Sequence, residues 1–141
     1  MLKWLRDLIV PIAADDPLFG KMQYHRDVEL WEGSAMFRPL GRVVEVLIWC
    51  GRSGPTPEQR AFFEYAQRHY DAIAPEVANQ LSAEASRIGI GSTTLDLVAV
   101  SIPKRPADDA EWELAYDSRS SQWHFRVQMR GLTPQSVIGE C

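Results

Sequence analysis

Phe62, Ala66, Tyr70, Ile73, Val77, Leu81, Ala85 and Ile88 follow one another in steps of three and four residues. At 3.6 residues per turn, these side chains fall on one stripe of a helix. A stripe this long must be covered, and segments of period two lie on either side of it in the sequence. The pattern predicts helical cover over 57–88 lying on a β-sheet, an α+β fold. Thr56 is placed to cap, Pro57 suits the first helical position, and Gln59 can complete a capping box. Pro75 interrupts the stripe. Its ring and missing N–H predict a long kinked helix, or a helix pair divided near 73–75.

Residues 18–50 read as a three-stranded antiparallel meander. Met22 and Tyr24 alternate with polar neighbours. Val28 to Phe37 follows, with a bend at Gly33. Pro39 and Gly41 then turn the chain into Val43–Cys50, where only Glu45 is polar, which predicts a central strand covered on both faces. Residues 94–138 read as a second meander. Thr94–Ile102 places Leu95, Leu97 and Ala99 on one side and Val98, Val100 and Ile102 on the other. Trp112, Leu114 and Tyr116, then Trp123, Phe125, Val127 and Met129, mark the clearest hairpin. Ser136–Ile138 is a candidate last strand. The sum is an antiparallel sheet of about six strands covered on one face. Leu2, Leu5, Leu8 and Ile9 predict a short N-terminal helix within 1–12, stopped by Pro11, that docks on its own core or on a partner. At 141 residues, 1–141 reads as a single domain.

The net charge of −4 argues against a nucleic-acid binder that works by phosphate neutralisation. No apolar run approaches the ~20 residues of a spanning helix, so no integral membrane protein is expected. The apolar patch 8–14 contains Pro11 and is followed by Asp15 and Asp16, unlike a secretory leader. The expected location is the cytoplasm. Cys50 and Cys141 form neither a disulfide framework nor a metal-binding spacing, so neither metal nor cofactor is predicted.

Catalytic constellations are scarce. His25-Arg26-Asp27 has the letters of a kinase catalytic loop without its Gly-rich loop, strand lysine or DFG, and reads as a hairpin turn. His69 reads as a partly exposed helical residue. His124 points away from the face shared by Trp123 and Phe125. Cys50 with His25 or His124 is the only thiol–imidazole combination that strands can bring together, and no spacing requires it. Gly89-Ile90-Gly91-Ser92 follows a helix rather than a strand, so it is no dinucleotide loop. Acidic residues gather at Asp15-Asp16, at Glu29 and Glu32, and at Asp108, Asp109, Glu111 and Glu113. They read as solvated edges, or as an acidic face that steers a basic partner.

A succession of short motifs carries a resemblance. It runs Asp16-Pro17-Leu18-Phe19-Gly20, Trp31-Glu32-Gly33, Phe37-Arg38-Pro39-Leu40-Gly41-Arg42 and Gly54-Pro55-Thr56-Pro57-Glu58-Gln59-Arg60-Ala61-Phe62-Phe63. It resembles small bacterial proteins of the DPxFG…WEG…GPTxxQ type, which are similar to α+β domains found near polymorphic toxins. The similarity covers roughly residues 1–80. A Trp-Gly-His segment of the wider group is matched loosely by Ser121-Gln122-Trp123-His124, which lacks the glycine. The resemblance implies α+β architecture, a bacterial cytoplasm and an immunity role, and it carries no catalytic residues.

The expected function is therefore a non-catalytic binding protein, immunity-like, that recognises a protein partner. Trp31, Glu32, Asp108, Asp109 and Trp112 are the expected contact residues, since aromatic residues concentrate interface energy. The alternative is a structural or regulatory domain that associates with itself as a homodimer. A small enzyme or ligand-binding protein, with a pocket between helix and sheet, is the third reading.

Overall fold

In the computed structural model, which describes residues 12–91 and 93–141, one eight-stranded sheet runs in chain order. The first half contains β1 (Ile12–Asp16), β2 (Gly20–His25), β3 (Leu30–Phe37) and β4 (Arg42–Trp49). The second contains β5 (Leu95–Ile102), β6 (Glu111–Ser118), β7 (His124–Arg130) and β8 (Thr133–Glu140). All neighbours are antiparallel except β4 and β5, which are parallel. Parallel neighbours need a crossover connection, and α1 (Pro57–Arg87) supplies it.

The start of α1 follows the expected chemistry. Thr56 Oγ1 accepts from the Gln59 N–H at 3.1 Å, and Gln59 Oε1 accepts from the Thr56 N–H at 3.1 Å. Phe62, Ala66, Tyr70, Ile73, Val77, Leu81 and Ala85 are all buried. They pack with the sheet residues Val44, Val46, Ile48, Val100, Ile102 and Leu114 into one core. Phe62 meets Trp112 edge-on at 5.2 Å between ring centroids, and Phe37 meets Tyr70 at 5.0 Å. The Tyr70 and Tyr116 hydroxyls share a hydrogen bond of 2.8 Å within this layer.

Several expectations need correction. The sheet has eight strands, not about six. The first meander has four strands rather than three, because β1 precedes residue 18 and Asp16–Gly20 turns between β1 and β2. The second ends in a full β8, whose Val137 pairs with Val127 and packs against the core. α1 is a single helix through Pro75. Pro75 lies on the exposed side, where water can satisfy the Asp71 carbonyl left without a helical donor. In β5 a bulge lies between Leu97 and Ala99. It switches the side of the alternation, so Leu97 and Val100 both face the core. β4 is central but covered on one face only, with Val43 60 % and Trp49 40 % exposed. The helix expected within 1–12 lies outside the described residues, apart from Ile12, which begins β1.

Candidate functional site

The segments that carry the resemblance meet at one corner of the fold. Asp16 Oδ2 accepts from the N–H groups of Leu18 and Phe19, each at 2.9 Å, and Arg60 grips both carboxylate oxygens. The Arg60 guanidinium lies over the Phe19 ring, which also meets Phe63 edge-on. These bonds, chiefly that of Arg60, hold the Asp16 carboxyl down at about 2. Gly33 passes so close that a Cβ there would stand 2.7 Å from the Phe19 carbonyl oxygen. Gln59, fully buried, donates to the carbonyls of Trp49 at 2.9 Å and Pro103 at 3.0 Å, tying the helix start to the ends of β4 and β5. These groups all bond to one another within the domain, so the motifs specify the fold.

The five expected contact residues do not form one site. Trp31 is 2 % exposed and donates to the Gly51 carbonyl at 2.9 Å. Trp112 is 3 % exposed and donates to the Gly131 carbonyl at 2.8 Å. Both rings are core, because each lies on the helix-facing side of its strand and ends on a backbone acceptor. Asp108 and Asp109 are exposed in the turn before β6. Glu32 is half-exposed on β3, on the face opposite α1. Three strand spacings, about 14 Å, separate β3 from β6.

Cys50 lies on the opposite side of the sheet from His25 and His124. Cys50 is buried in the core, and burial pushes its thiol up to about 11. His25, the last residue of β2 rather than part of the turn, bonds Glu32 on the helix-free face. His124 is exposed on that face too, with Nδ1 2.6 Å from Asp117. His69 packs tilted against the Tyr65 ring on α1, at 4.5 Å between centroids. Aromatic side chains of α1 pack on the sheet where the third reading, a small enzyme or ligand-binding protein, would need its pocket.

The accessible chemistry lies instead on the helix-free face. Cross-strand pairing places Leu30 opposite Trp49, Glu32 opposite Leu47, Ser34 opposite Glu45, and Met36 opposite Val43. Met36 is 51 % exposed, so with Val43 and Trp49 it leaves apolar surface at both ends of the β3–β4 ribbon. The two ends are six residues apart, about 20 Å. Trp49 is oriented by a 3.1 Å hydrogen bond from Nε1 to Ser101 Oγ. It borders a shallow depression of about 490 Å³, lined also by Leu47, Ser101, Glu113, Arg126 and Gln128. Arg126 bonds Glu113 at 3.4 Å and Glu140 at 2.7 Å, and Arg130 bonds Glu111 at 2.5 Å. Exposed pairs of this kind contribute about 0–1 kcal/mol each, so they shape the surface more than they stabilise it.

Between the apolar ends, Glu32 and Glu45 stand on adjacent cross-strand rows of one face, close enough for their carboxyls to share a hydrogen bond. His25 Nε2 lies 2.9 Å from Glu32 Oε2 on the other side. Two carboxyls in a hydrogen bond need one proton between them. The bond to Glu32, aided by partial burial, pushes Glu45 up to about 7. The bonds from Glu45 and His25 push Glu32 down. Sequence reasoning missed Glu45, Met36, Val43 and Trp49. The signal was present in Val43–Trp49, which is apolar on both sides, but a second covering layer explains that pattern equally well.

Comparison of the chain with protein-family models, curated proteins and solved structures returns no match. Among the described residues, no group of three His, Cys, Asp or Glu side chains is placed to hold a metal ion, and no helix is long and apolar enough to cross a membrane.

Proposed function

We propose that this chain is a non-catalytic, immunity-like binding protein of the bacterial cytoplasm that receives a protein partner on the helix-free face of its sheet. The observation that carries the reading is the exposure of Met36, Val43 and Trp49 on one ribbon of that face. An antiparallel sheet that only meets water alternates apolar with polar residues, and this ribbon departs from that pattern at both ends. Trp49, oriented and half-exposed, has the character of an interface anchor. The net charge of −4 favours a basic partner, whose approach it would accelerate.

The test is co-expression with the product of the adjacent gene, scored by complex formation and by rescue of growth. Val43→Asp and Met36→Asp are expected to abolish both while leaving thermal unfolding unchanged, because both side chains are more than half exposed. Complex formation unaffected by either substitution would overturn the assignment of this face. Self-association of the free protein, lost in the same variants, would favour the homodimer reading instead.

A further inference from the structure

We infer that Glu32 and Glu45, braced by His25, form a one-proton switch at the centre of this face, which presents a second negative charge to a basic partner as the pH rises. The docking part rests on the reading above; the switch itself is a property of the free protein. Three strands contribute one group each: His25 from β2, Glu32 from β3 and Glu45 from β4. Glu32 and Glu45 sit on adjacent cross-strand rows, Glu32–Leu47 and Ser34–Glu45, which brings their carboxyls together diagonally. The His25 ring, at 2.9 Å, favours charge on Glu32. The shared proton therefore rests with Glu45.

The surroundings offer Glu45 little to offset a second negative charge. Across β5 its partner is Ala99, and across β3 it is Ser34. Its own strand places Val43 and Leu47 on either side. Other charges on this face lie further out or are paired. Lys21 on β2 lies towards the outer edge, opposite Asp15 of β1 in the strand register. On β5, Asp96 is engaged by Arg42 at 3.3 Å and by Arg119 at 2.7 Å.

In mildly acidic solution the pair carries one negative charge. In mildly alkaline solution it carries two, side by side, in the middle of an otherwise uncharged ribbon. A basic partner can pair with the second charge as well as the first, and so binds the doubly charged pair better. Docking is thus linked to release of a proton.

The test is a carbon-detected NMR titration of the glutamate carboxyls in the free, full-length protein. Glu45 is expected to titrate near pH 7, with the amide signals of Val43, Leu47 and Trp49 following the same midpoint. In Glu32→Gln the Glu45 midpoint should fall towards 4.5, a change of more than a hundredfold in proton affinity. In Glu45→Gln the near-neutral step on the ribbon amides should disappear. Proton–nitrogen spectra of both variants report whether the fold is retained. Wild-type carboxyls that both titrate in the ordinary range, or a Glu45 midpoint unmoved in Glu32→Gln, would overturn the switch. Neither result touches the partner assignment, which stands or falls on Val43→Asp and Met36→Asp.

Discussion

Replacing Asp16 with Asn isolates the contribution of one buried charge. Asp16 is 5 % exposed at its side chain, and its carboxylate holds the β1–β2 turn on one side and Arg60 of α1 on the other. Asn is nearly isosteric and can still accept from the Leu18 and Phe19 amides. It cannot match the charge on Arg60. Lowering the carboxyl from 3.8 to about 2 on folding corresponds to about 2 kcal/mol of stability. Because the folded value is depressed, this stability is fully present above the unfolded value of 3.8 and is lost as the pH falls through about 2. Urea unfolding of wild type and Asp16→Asn, followed by tryptophan fluorescence from pH 7 to pH 2, measures the difference. The variant should be weaker by about 2 kcal/mol at pH 7, with the two curves converging at the acid end. Equal stability at pH 7, or a gap that persists undiminished to pH 2, would refute the assignment of this energy to the ion pair.

Two further substitutions probe the core. Gly33→Ala places a methyl 2.7 Å from the Phe19 carbonyl oxygen, a backbone atom that cannot rotate away, and should cost about 1–3 kcal/mol in urea or thermal unfolding. Tyr116→Phe or Tyr70→Phe alone leaves a buried hydroxyl without its 2.8 Å partner and should cost about 1–3 kcal/mol. The double variant removes both hydroxyls and should cost less than the two single losses added together; a strictly additive cycle would count against the pairing.

The helix was legible from its stripe and cap, because a continuous apolar face and the Thr56–Gln59 box are local signals. The 111–130 hairpin was legible from its alternation. β1 was not, and β8 only as the short candidate 136–138, since IAADD and TPQSVIGE are edge strands with little alternation, and their pairing depends on neighbours distant from any local pattern. The bulge at β5 hid the true facing of Leu97 and Val100, because a period-two reading has no means of placing an extra residue. Trp31 and Trp112 were misjudged as surface anchors because residue type alone does not reveal the Gly51 and Gly131 carbonyls that receive their N–H groups. Of the helix-free face, Glu32 was picked out from sequence as a contact residue, and His25 and His124 only as possible partners of Cys50. Its partner Glu45 sits in the most apolar strand, where it read as an exception rather than as half of a pair.

The parallel contact between β4 and β5 divides the sheet into two ribbons of four strands, each of which can zip up through short local turns. The seam between them closes only when the whole length of α1 has been laid down, because residues such as Glu45 and Ala99 are separated by more than fifty positions. Gln59 reaches both sides of that join, to Trp49 and to Pro103, so it acts as a rivet set after the plates have met. Assembly of this protein should therefore finish at its middle, with the two outer edges already in place.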